Sequence, residues 1–518
     1  PGRGEVRIAG GSYLGDGEGP LRIEAFGSDQ NEVTLLGGFA GFERPNSPDD
    51  RDLTLFSTRI ESGATAPTIE VFGGGEAGSS HSPISAIDMG SAITLALGVA
   101  FSGLKFADNQ AITVNAIPDT LVIVESCEFF GCGSEGSGGA IRVSPASLII
   151  KGSNFELCKA ALSGGAIFHE GPELIVIDTM FRLNVARSGG AIASFADDAS
   201  VTNTTMFANG ATDDPMGQGG AIKWAGDGAF RVLSSTFQKN SAAFGGAIHI
   251  DGESTIASSQ FLSNFAGGSG GAVAFRADSD VFSLITNCLF DTNTALENGG
   301  ALWCDEMSQP ISIFASEFTE NEAVLDGGAM YSSRPSLIFD SRFESNAGGN
   351  GGALYFSTAS EIRDSVFLMN RGGDGGAIYG PADVHGSTFT QNESLGSGGA
   401  LHTPTRVSQT DFFENTAVFN GGAIFSVDSV VGGTFVGNSA DFFGGAIVRL
   451  GMGVDLVMTD NSAVLGAAIA NLEGVLRTSL VADNVAVPQI AAGARSIEMG
   501  SNAVLDRCIV VGGSDSTR

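Results

Sequence analysis

Basic residues are scarce in this chain. It has 26 Lys and Arg against 58 Asp and Glu in 518 residues, which gives a formal net charge of −32. Proteins neutralise the phosphates of nucleic acids with basic surfaces, so the sequence argues against a nucleic-acid partner. Lyases for acidic sugars also need positive charge beside the substrate, and the basic residues here form no cluster.

Long apolar runs and polar aromatic residues are also in short supply. The longest apolar stretch, around residues 92–101, is interrupted by Gly and Thr and is too short to span a bilayer. The chain has 4 Tyr and 2 Trp against 36 Phe. Because 42% of its residues are apolar and only 16% are charged, the sequence predicts a folded, Phe-rich interior rather than an acidic disordered chain.

Motifs for metal binding by His or Cys and for a catalytic triad are missing. The five His are scattered, no Cys pairs have zinc-ligand spacing, and no Ser, His and Asp set can be assembled from the spacing. The five His are at positions 81, 169, 249, 385 and 402. The simplest interpretation is that each is either exposed to solvent or packed against other side chains.

What the sequence does contain is a repeat. The string Gly-Gly-Ala-apolar recurs with a mean spacing of about 25 residues, which is typical of one turn of a solenoid. A degenerate copy begins at Gly466. The first Gly of each full copy is at Gly138, Gly164, Gly189, Gly219, Gly245, Gly270, Gly299, Gly327, Gly351, Gly375, Gly398, Gly421 and Gly444.

A second motif, Phe-x-x-Asn, precedes most of these Gly pairs. Phe318 with Asn321 is one example, and Cys132 and Cys158 replace the Asn in two early repeats. The residue two before the Phe is Ser, Thr or Cys, and the residue five before it is Val or Ile in thirteen successive repeats. Positions −2 and 0 share a face of a strand but −5 does not, so the chain must bend between −5 and −2.

Short β segments with corners at fixed positions predict an all-β protein made of one parallel β-helix. We expect roughly 18 coils of about 25 residues, with like residues stacked in interior ladders. Gly-Gly, Ser, Thr and β-branched residues in every repeat argue against a helical solenoid. Stacked Asn and paired Gly are interpreted as structural, because they suit hydrogen-bonded turns and tight corners.

The repeats also suggest how the chain is organised. Residues 1–100 lack the full motif but have β character, and are expected to form irregular N-terminal coils of the same helix. The regular coils are expected over 101–484, followed at 485–518 by a C-terminal coil, complete or truncated.

Phe-x-x-Asn followed closely by Gly-Gly-Ala-Ile/Leu resembles the paired repeat of the polymorphic membrane protein family of autotransported bacterial surface adhesins. The resemblance covers about residues 101–484. The opening segments Ala9–Tyr13 and Leu36–Glu43, followed by Arg51-Asp52, resemble the N-terminal coils of secreted bacterial right-handed β-helix proteins. These resemblances imply a right-handed helix and an extracellular or cell-surface location.

Acidic residues follow the Gly-Gly-Ala strand in six consecutive repeats and would stack into a stripe. Three explanations stay open: ordinary turn chemistry, a surface for Ca²⁺ or another cationic ligand, and a glycosidase acid/base pair. A Ca²⁺ site is the only cofactor prediction. The candidate ligands are Asp197, Asp227, Asp251, Asp278, Asp280 and Asp305.

Cys132 and Cys158 occupy the Asn position of adjacent repeats, 26 residues apart. Stacked coils would bring their Cα atoms within the range that a disulfide accepts, so a bond is predicted in an oxidising compartment. The alternative is a pair of buried thiols that act as small apolar fillers.

The function that the pattern favours is a non-catalytic surface protein, adhesive or structural, that displays its variable turns. Its expected partners are a host or matrix surface, glycan or protein. A glycan-active hydrolase or lyase is the first alternative, since many enzymes share this fold. A subunit of an extracellular filament, self-associating end to end through uncapped sheet ends, is the second.

Overall fold

The computed structural model describes residues 121–212, 216–276, 282–305, 310–486 and 496–511, and before residue 121 the backbone of ten strands. All regular elements in these ranges are β-strands. They form a parallel β-solenoid of about 15 turns with about 25 residues per turn, as the repeat predicts. In the described part of the chain, no helix is long and apolar enough to cross a membrane.

One coil contains four short strands, illustrated by residues 302–328. The Gly-Gly-Ala strand is Leu302–Cys304, the valine/isoleucine strand is Ile311–Phe314, the phenylalanine strand is Glu317–Thr319 and the asparagine strand is Glu322–Ala323. Each pairs in parallel with its equivalent one coil later, so that Phe318 lies beside Phe343 and Ile313 beside Ile338. The repeat period therefore sets the register of the whole solenoid.

The strand bounds follow the repeat. The ten strands before residue 121 are Gly4–Ala9, Gly11–Leu14, Leu21–Ala25, Glu32–Phe39, Thr58–Glu61, Ile69–Gly73, Ala92–Leu95, Gly98–Ser102, Leu104–Ala107 and Ile112–Ala116. The Gly-Gly-Ala strands are Ile141–Ser144, Ile167–His169, Ile192–Ser194, Ile222–Trp224, Ile248–Ile250, Val273–Phe275, Leu302–Cys304, Met330–Ser332, Leu354–Phe356, Ile378–Tyr379, Leu401–His402 and Ile497–Met499. The valine/isoleucine strands are Leu121–Glu125, Ser147–Lys151, Glu173–Ile177, Asp198–Thr202, Ala229–Leu233, Glu253–Ala257, Ser283–Thr286, Ile311–Phe314, Ser336–Phe339, Ser360–Arg363, Ala382–His385, Arg406–Ser408 and Val504–Asp506.

The phenylalanine strands are Glu128–Phe130, Asn154–Glu156, Met180–Arg182, Thr205–Phe207, Thr236–Gln238, Gln260–Leu262, Leu289–Asp291, Glu317–Thr319, Arg342–Glu344, Val366–Leu368, Thr388–Thr390, Asp411–Phe413, Leu480–Ala482 and Ile509–Val511. The asparagine strands are Gly133–Ser134, Lys159–Ala160, Val185–Ala186, Gly210–Ala211, Ser241–Ala242, Phe265–Ala266, Thr294–Ala295, Glu322–Ala323, Arg371–Gly372, Glu393–Ser394, Thr416–Ala417, Ser439–Ala440, Ser462–Ala463 and Val485–Ala486. Near the C-terminus, strands of neighbouring faces merge into Ile424–Val436, Ile447–Thr459 and Ile469–Arg477.

The corners lie where the sequence requires a bend. In the example coil, Ala315 and Glu320 adopt φ of 45° and 52°, and Gly327 adopts 68°. Ala315 lies between the Val/Ile and Ser/Thr/Cys positions, which is the predicted bend. The second Gly of each pair has a different constraint, since a Cβ on Gly328 would overlap the carbonyl oxygen of Gly352 in the next coil.

The interior is built from ladders of like residues. Phe290, Phe318 and Phe343 are fully buried and stack with ring centroids 4.7 and 4.8 Å apart. Beside them, Ser341 Oγ accepts the backbone N–H of Ser316 at 3.2 Å. The predicted inward positions are therefore buried, and the stacked Ser side chains are hydrogen-bonded by neighbouring coils.

The described contacts group the chain into two compact units, Pro1–Gln260 and Phe261–Arg518, here called unit 1 and unit 2. In unit 1 the N-terminal strands keep the repeat phase, because Ile60 pairs with Phe106 and Phe106 pairs with Phe129. The division of the chain into residues 1–100, 101–484 and 485–518 stays a prediction, and so does the count of 18 coils.

Candidate functional site

The acidic turns of unit 1 lie directly after the Gly-Gly-Ala strands. Asp197 and Asp227 are exposed and Asp251 is half-buried. Hydrogen bonds join these turns, since the Gly228 N–H donates to the Asp197 carbonyl at 2.8 Å and the Asp251 N–H donates to the Trp224 carbonyl at 3.0 Å. Successive coils therefore bring the three acidic turns next to one another.

Two of the predicted cation ligands face a basic group. The carboxylate of Asp251 is 3.1 Å from Nε2 of His249, and in unit 2 the carboxylate of Asp305 is 3.7 Å from Nε of Arg276. Asp278 and Asp280 lie outside the described residues. Within the described ranges, no three His, Cys, Asp or Glu side chains are grouped so that they could hold a metal ion. Ca²⁺ binding at these turns stays a prediction.

Cys132 and Cys158 are fully buried free thiols in adjacent coils. The backbone N–H of Cys158 donates to Oδ1 of Asn184 at 2.9 Å, so Cys158 keeps the bonding pattern of the Asn position. The pKa of Cys158 is raised well above its usual value, mainly by burial and to a smaller extent by a hydrogen bond with Cys132. A protonated, buried thiol is a poor nucleophile, which favours a structural role. The predicted disulfide between the two thiols stays a prediction.

His169 is a fully buried imidazole of unit 1. Its Nε2 lies 2.7 Å from the Ala146 carbonyl, and its Nδ1 lies 3.5 Å from Oγ of Ser194. Burial lowers the pKa of His169 to about 4, against the opposing effect of the hydrogen bond to Ala146. Ser194 is also buried, so this Ser–His contact is closed to a substrate and belongs to the interior.

An aromatic ladder that was not predicted from the sequence runs along the outer side of the Gly-Gly-Ala strands in unit 2. Tyr331, Tyr355, Tyr379, His402 and Phe425 lie in five successive coils, half-buried, with adjacent ring centroids 4.8 to 5.0 Å apart. Three of the four Tyr in the chain are in this outer aromatic ladder. The signal was available, because all three occupy the second position after Gly-Gly-Ala.

A polar ladder runs beside the aromatic one, immediately before each Gly pair. Asp326 Oδ1 accepts both the backbone N–H and Nδ2 of Asn350, at 3.1 and 2.9 Å. Asp374 donates its backbone N–H to Oδ1 of Asn350 at 3.2 Å. Burial raises the pKa of Tyr355, and the nearby charge of Asp326 raises it further. The two ladders are therefore in electrostatic contact.

His402 joins the two ladders at the next coil. Its Nε2 lies 4.0 Å from Oδ2 of Asp374, beyond hydrogen-bonding distance, and its buried Nδ1 has no hydrogen-bond partner. Burial lowers the pKa of His402, while the charge of Asp374 opposes that shift. The imidazole therefore lies beside a carboxylate that keeps hydrogen-bonding capacity.

The turn beside these ladders is shorter and has smaller side chains in two adjacent coils. Between Asn and the Gly pair, Gly348-Gly349 and Gly372-Gly373 replace the bulkier tips of neighbouring coils, and each of the two turns is one residue shorter. The neighbouring tips carry Leu325 and Leu395, which are 50% and 48% exposed. The Gly349 N–H bonds to the Leu325 carbonyl, and the Gly373 N–H to the Gly349 carbonyl. We call this feature the glycine notch.

Comparison with known proteins gives one similarity. The family model of the Chlamydia polymorphic membrane protein repeat matches residues 234–251 and 287–305. Both segments contain the Phe-x-x-Asn and Gly-Gly-Ala motifs. No curated protein and no solved structure matches the chain.

Proposed function

We propose that this chain is an extracellular, bacterial cell-surface protein with an adhesive or architectural role and no catalytic activity, built on a right-handed β-helix. The contrast between the interior and the turns supports this proposal. Buried side chains that repeat in every coil hold neighbouring coils together, whereas the exposed turns vary in length and sequence. Binding scaffolds place variable recognition residues on such turns. The two matches to the polymorphic membrane protein repeat support a surface location.

A glycan-active enzyme would need an acid/base pair of carboxylates, separated by about 5 to 10 Å, in a groove that holds the substrate. The acidic turns of unit 1 supply carboxylates, but Asp251 already faces His249. Because the acidic turns carry these carboxylates, a test for catalysis should change a residue there, and we choose Asp251.

The test compares binding with turnover. The full chain is labelled and added to cultured epithelial cells and to immobilised matrix proteins, and it is incubated separately with a broad panel of polysaccharides. Saturable binding without release of reducing ends supports the proposal. If the protein degrades a polysaccharide and D251N does not, the proposal is wrong and the chain is a glycan-active enzyme. If sedimentation shows concentration-dependent polymers and the protein binds neither cells nor matrix, the chain is a filament subunit.

A further inference from the structure

We propose that the glycine notch and the outer aromatic ladder of unit 2 form a binding site for a neutral saccharide. The proposal rests on the adhesive function and assigns it a site and a ligand class. The notch lies between the exposed side chains of Leu325 and Leu395, and its floor is glycine backbone at residues 348–349 and 372–373. Asn350 and Asp374 follow that floor directly.

The carboxylates beside the notch keep acceptor capacity that the fold does not use. Oδ1 of Asp326 accepts the two bonds from Asn350, and Oδ1 of Asp374 accepts the backbone N–H of Ser397 at 2.7 Å. A carboxylate has about four acceptor positions, so Oδ2 of each Asp can still receive hydrogen bonds. Hydroxyl groups of a sugar are donors of the kind that these oxygens accept, and such charge-assisted bonds are strong.

The tyrosines contribute hydroxyl groups rather than ring faces. Tyr331, Tyr355 and Tyr379 stack almost parallel, with interplanar angles of 9° and 7°, so each ring covers a face of its neighbour. Covered faces are poorly placed for cation–π contacts. The chain otherwise uses Phe for stacking and has 36 of them. Three successive Tyr therefore place a row of phenol hydroxyls along the ladder.

The fold does not require aromatic residues at this position. Equivalent positions are Ala193 and Lys223 in unit 1 and Val448 in unit 2, all in regular coils. The carboxylates are equally local, because the position before the Gly pair is Asp only at Asp326 and Asp374. Other coils have Ser, Gln or Asn there, or an apolar residue such as Phe443 or Leu465. The three Tyr, the two Asp and the two shortened glycine turns thus fall within three successive coils, which is the pattern of a built site.

Charge and spacing define the ligand. Two carboxylates in a chain of net charge −32 disfavour uronates and sialic acids. Adjacent coils are about 4.8 Å apart, close to the length of one pyranose unit, so Asn350 and Asp374 can contact neighbouring sugar units. Leu325 and Leu395 provide apolar walls for the C–H surface of the sugar.

The test uses the full chain and defined oligosaccharides. Glucose, galactose, mannose and N-acetylglucosamine oligomers are titrated by calorimetry, alongside oligogalacturonate and spermine. We expect binding of at least one neutral oligomer and none of oligogalacturonate. The double variant Y355F/Y379F removes two hydroxyls and retains stacking, and D374N retains the acceptor for Ser397. Each should weaken binding about tenfold or more, whereas D383N, an exposed Asp on strand Ala382–His385, should not.

The outcomes separate this site from the wider function. Equal saccharide affinity in all variants, no binding of any neutral oligomer, or binding of spermine alone would overturn the site. Unchanged melting temperatures of the variants show that lost affinity is not unfolding. If the wild type binds cells and Y355F/Y379F binds them equally well, adhesion stands and its assignment to the saccharide site is wrong. If the wild type binds neutral oligomers but neither cells nor matrix, the site stands and adhesion is wrong.

Discussion

Asn346 receives two hydrogen bonds on one oxygen from Asn321 in the coil before it. The Nδ2 and the backbone N–H of Asn321 both donate to Oδ1 of Asn346 at 3.0 Å. The Nδ2 of Asn346 then donates to the Phe318 carbonyl at 2.9 Å and to Oδ1 of Asn370 at 3.0 Å. In unit 2 this asparagine ladder extends from Asn264 to Asn484. Each fully buried amide is thus satisfied by its two neighbouring coils.

The first prediction concerns this ladder. N346A should lower the free energy of unfolding by roughly 2 to 5 kcal/mol, because it removes the acceptor for two buried donors of Asn321 and the donor to the Phe318 carbonyl. N346D keeps the acceptor for Asn321 but places an oxygen against the Phe318 carbonyl and Asn370. The pKa of the new carboxyl should be raised, so the stability of N346D relative to wild type should increase as pH falls from 7 to 5. Urea unfolding of both proteins at both pH values measures this, and an N346D that loses as much stability on acidification as the wild type would contradict it.

The second prediction concerns the Phe stack. F318A should cost about 3 to 5 kcal/mol, because the ring is fully buried and leaves a cavity between Phe290 and Phe343. The matched control is F339A, since Phe339 is 37% exposed and should cost much less. Denaturant unfolding gives both values. Equal costs would mean that the interior stack is not the main apolar contribution at this coil.

The third prediction is a pH dependence set by His169. Its pKa in the folded protein, about 4, lies below the unfolded value near 6.5, so the unfolded chain binds more protons between these values. The free energy of unfolding should therefore fall as pH drops through this window, by up to roughly 3 kcal/mol from this residue, and should change no further below it. H169Q should lose this component in urea titrations, relative to H385Q at a half-buried position. Identical pH profiles of wild type and H169Q would exclude it.

The fourth prediction concerns Cys132 and Cys158. In protein prepared under oxidising conditions, we expect a disulfide between them, which mass spectrometry of non-reduced peptides detects. Closing that loop should add about 3 kcal/mol of stability relative to reduced protein. In reduced protein, both thiols should react with a thiol reagent only after denaturation, since both are buried. If both thiols remain free after oxidation, the disulfide is wrong and the two Cys act as small apolar fillers.

The fifth prediction concerns the acidic turns. If Asp197, Asp227 and Asp251 bind Ca²⁺, the melting temperature should rise with added Ca²⁺ and fall again with chelator, by mass action. D227N should reduce the rise, whereas D383N, on the strand Ala382–His385 of unit 2, should leave it unchanged. A melting temperature that does not respond to Ca²⁺ assigns these residues to ordinary turn chemistry.

The interior could be predicted from the sequence because each position in it repeats. Phe318 and Ile313 recur at a fixed period, and a period that stays constant specifies register between parallel strands. The corner at Ala315 could be located from the conflict between positions −5 and −2, although Ala itself gives no local signal for a positive φ. Stacking of coils selects that conformation.

The glycine notch and outer ladder were missed because they depend on comparing turns across coils. Tyr355 in isolation is an ordinary strand residue, and Gly349 is one of 75 Gly. Only the structure shows that burial and the charge of Asp326 raise the pKa of Tyr355 in the following coil. Pairing of a side chain with one from the next repeat depends on the direction of each turn, which the repeat period does not specify.

The close packing of the second glycine and the hydrogen bonds of the asparagine ladder also affect how the gene can change. Each joins a residue to its counterpart in the next coil, so loss of one complete repeat, such as the 23 residues from Gly375 to Ser397, leaves Asn370 facing Asn415 and every bond with a partner. Loss of part of a repeat would shift all four strands out of register. Recombination between repeats should therefore yield folded proteins of different lengths, and length polymorphism should occur in steps of whole coils.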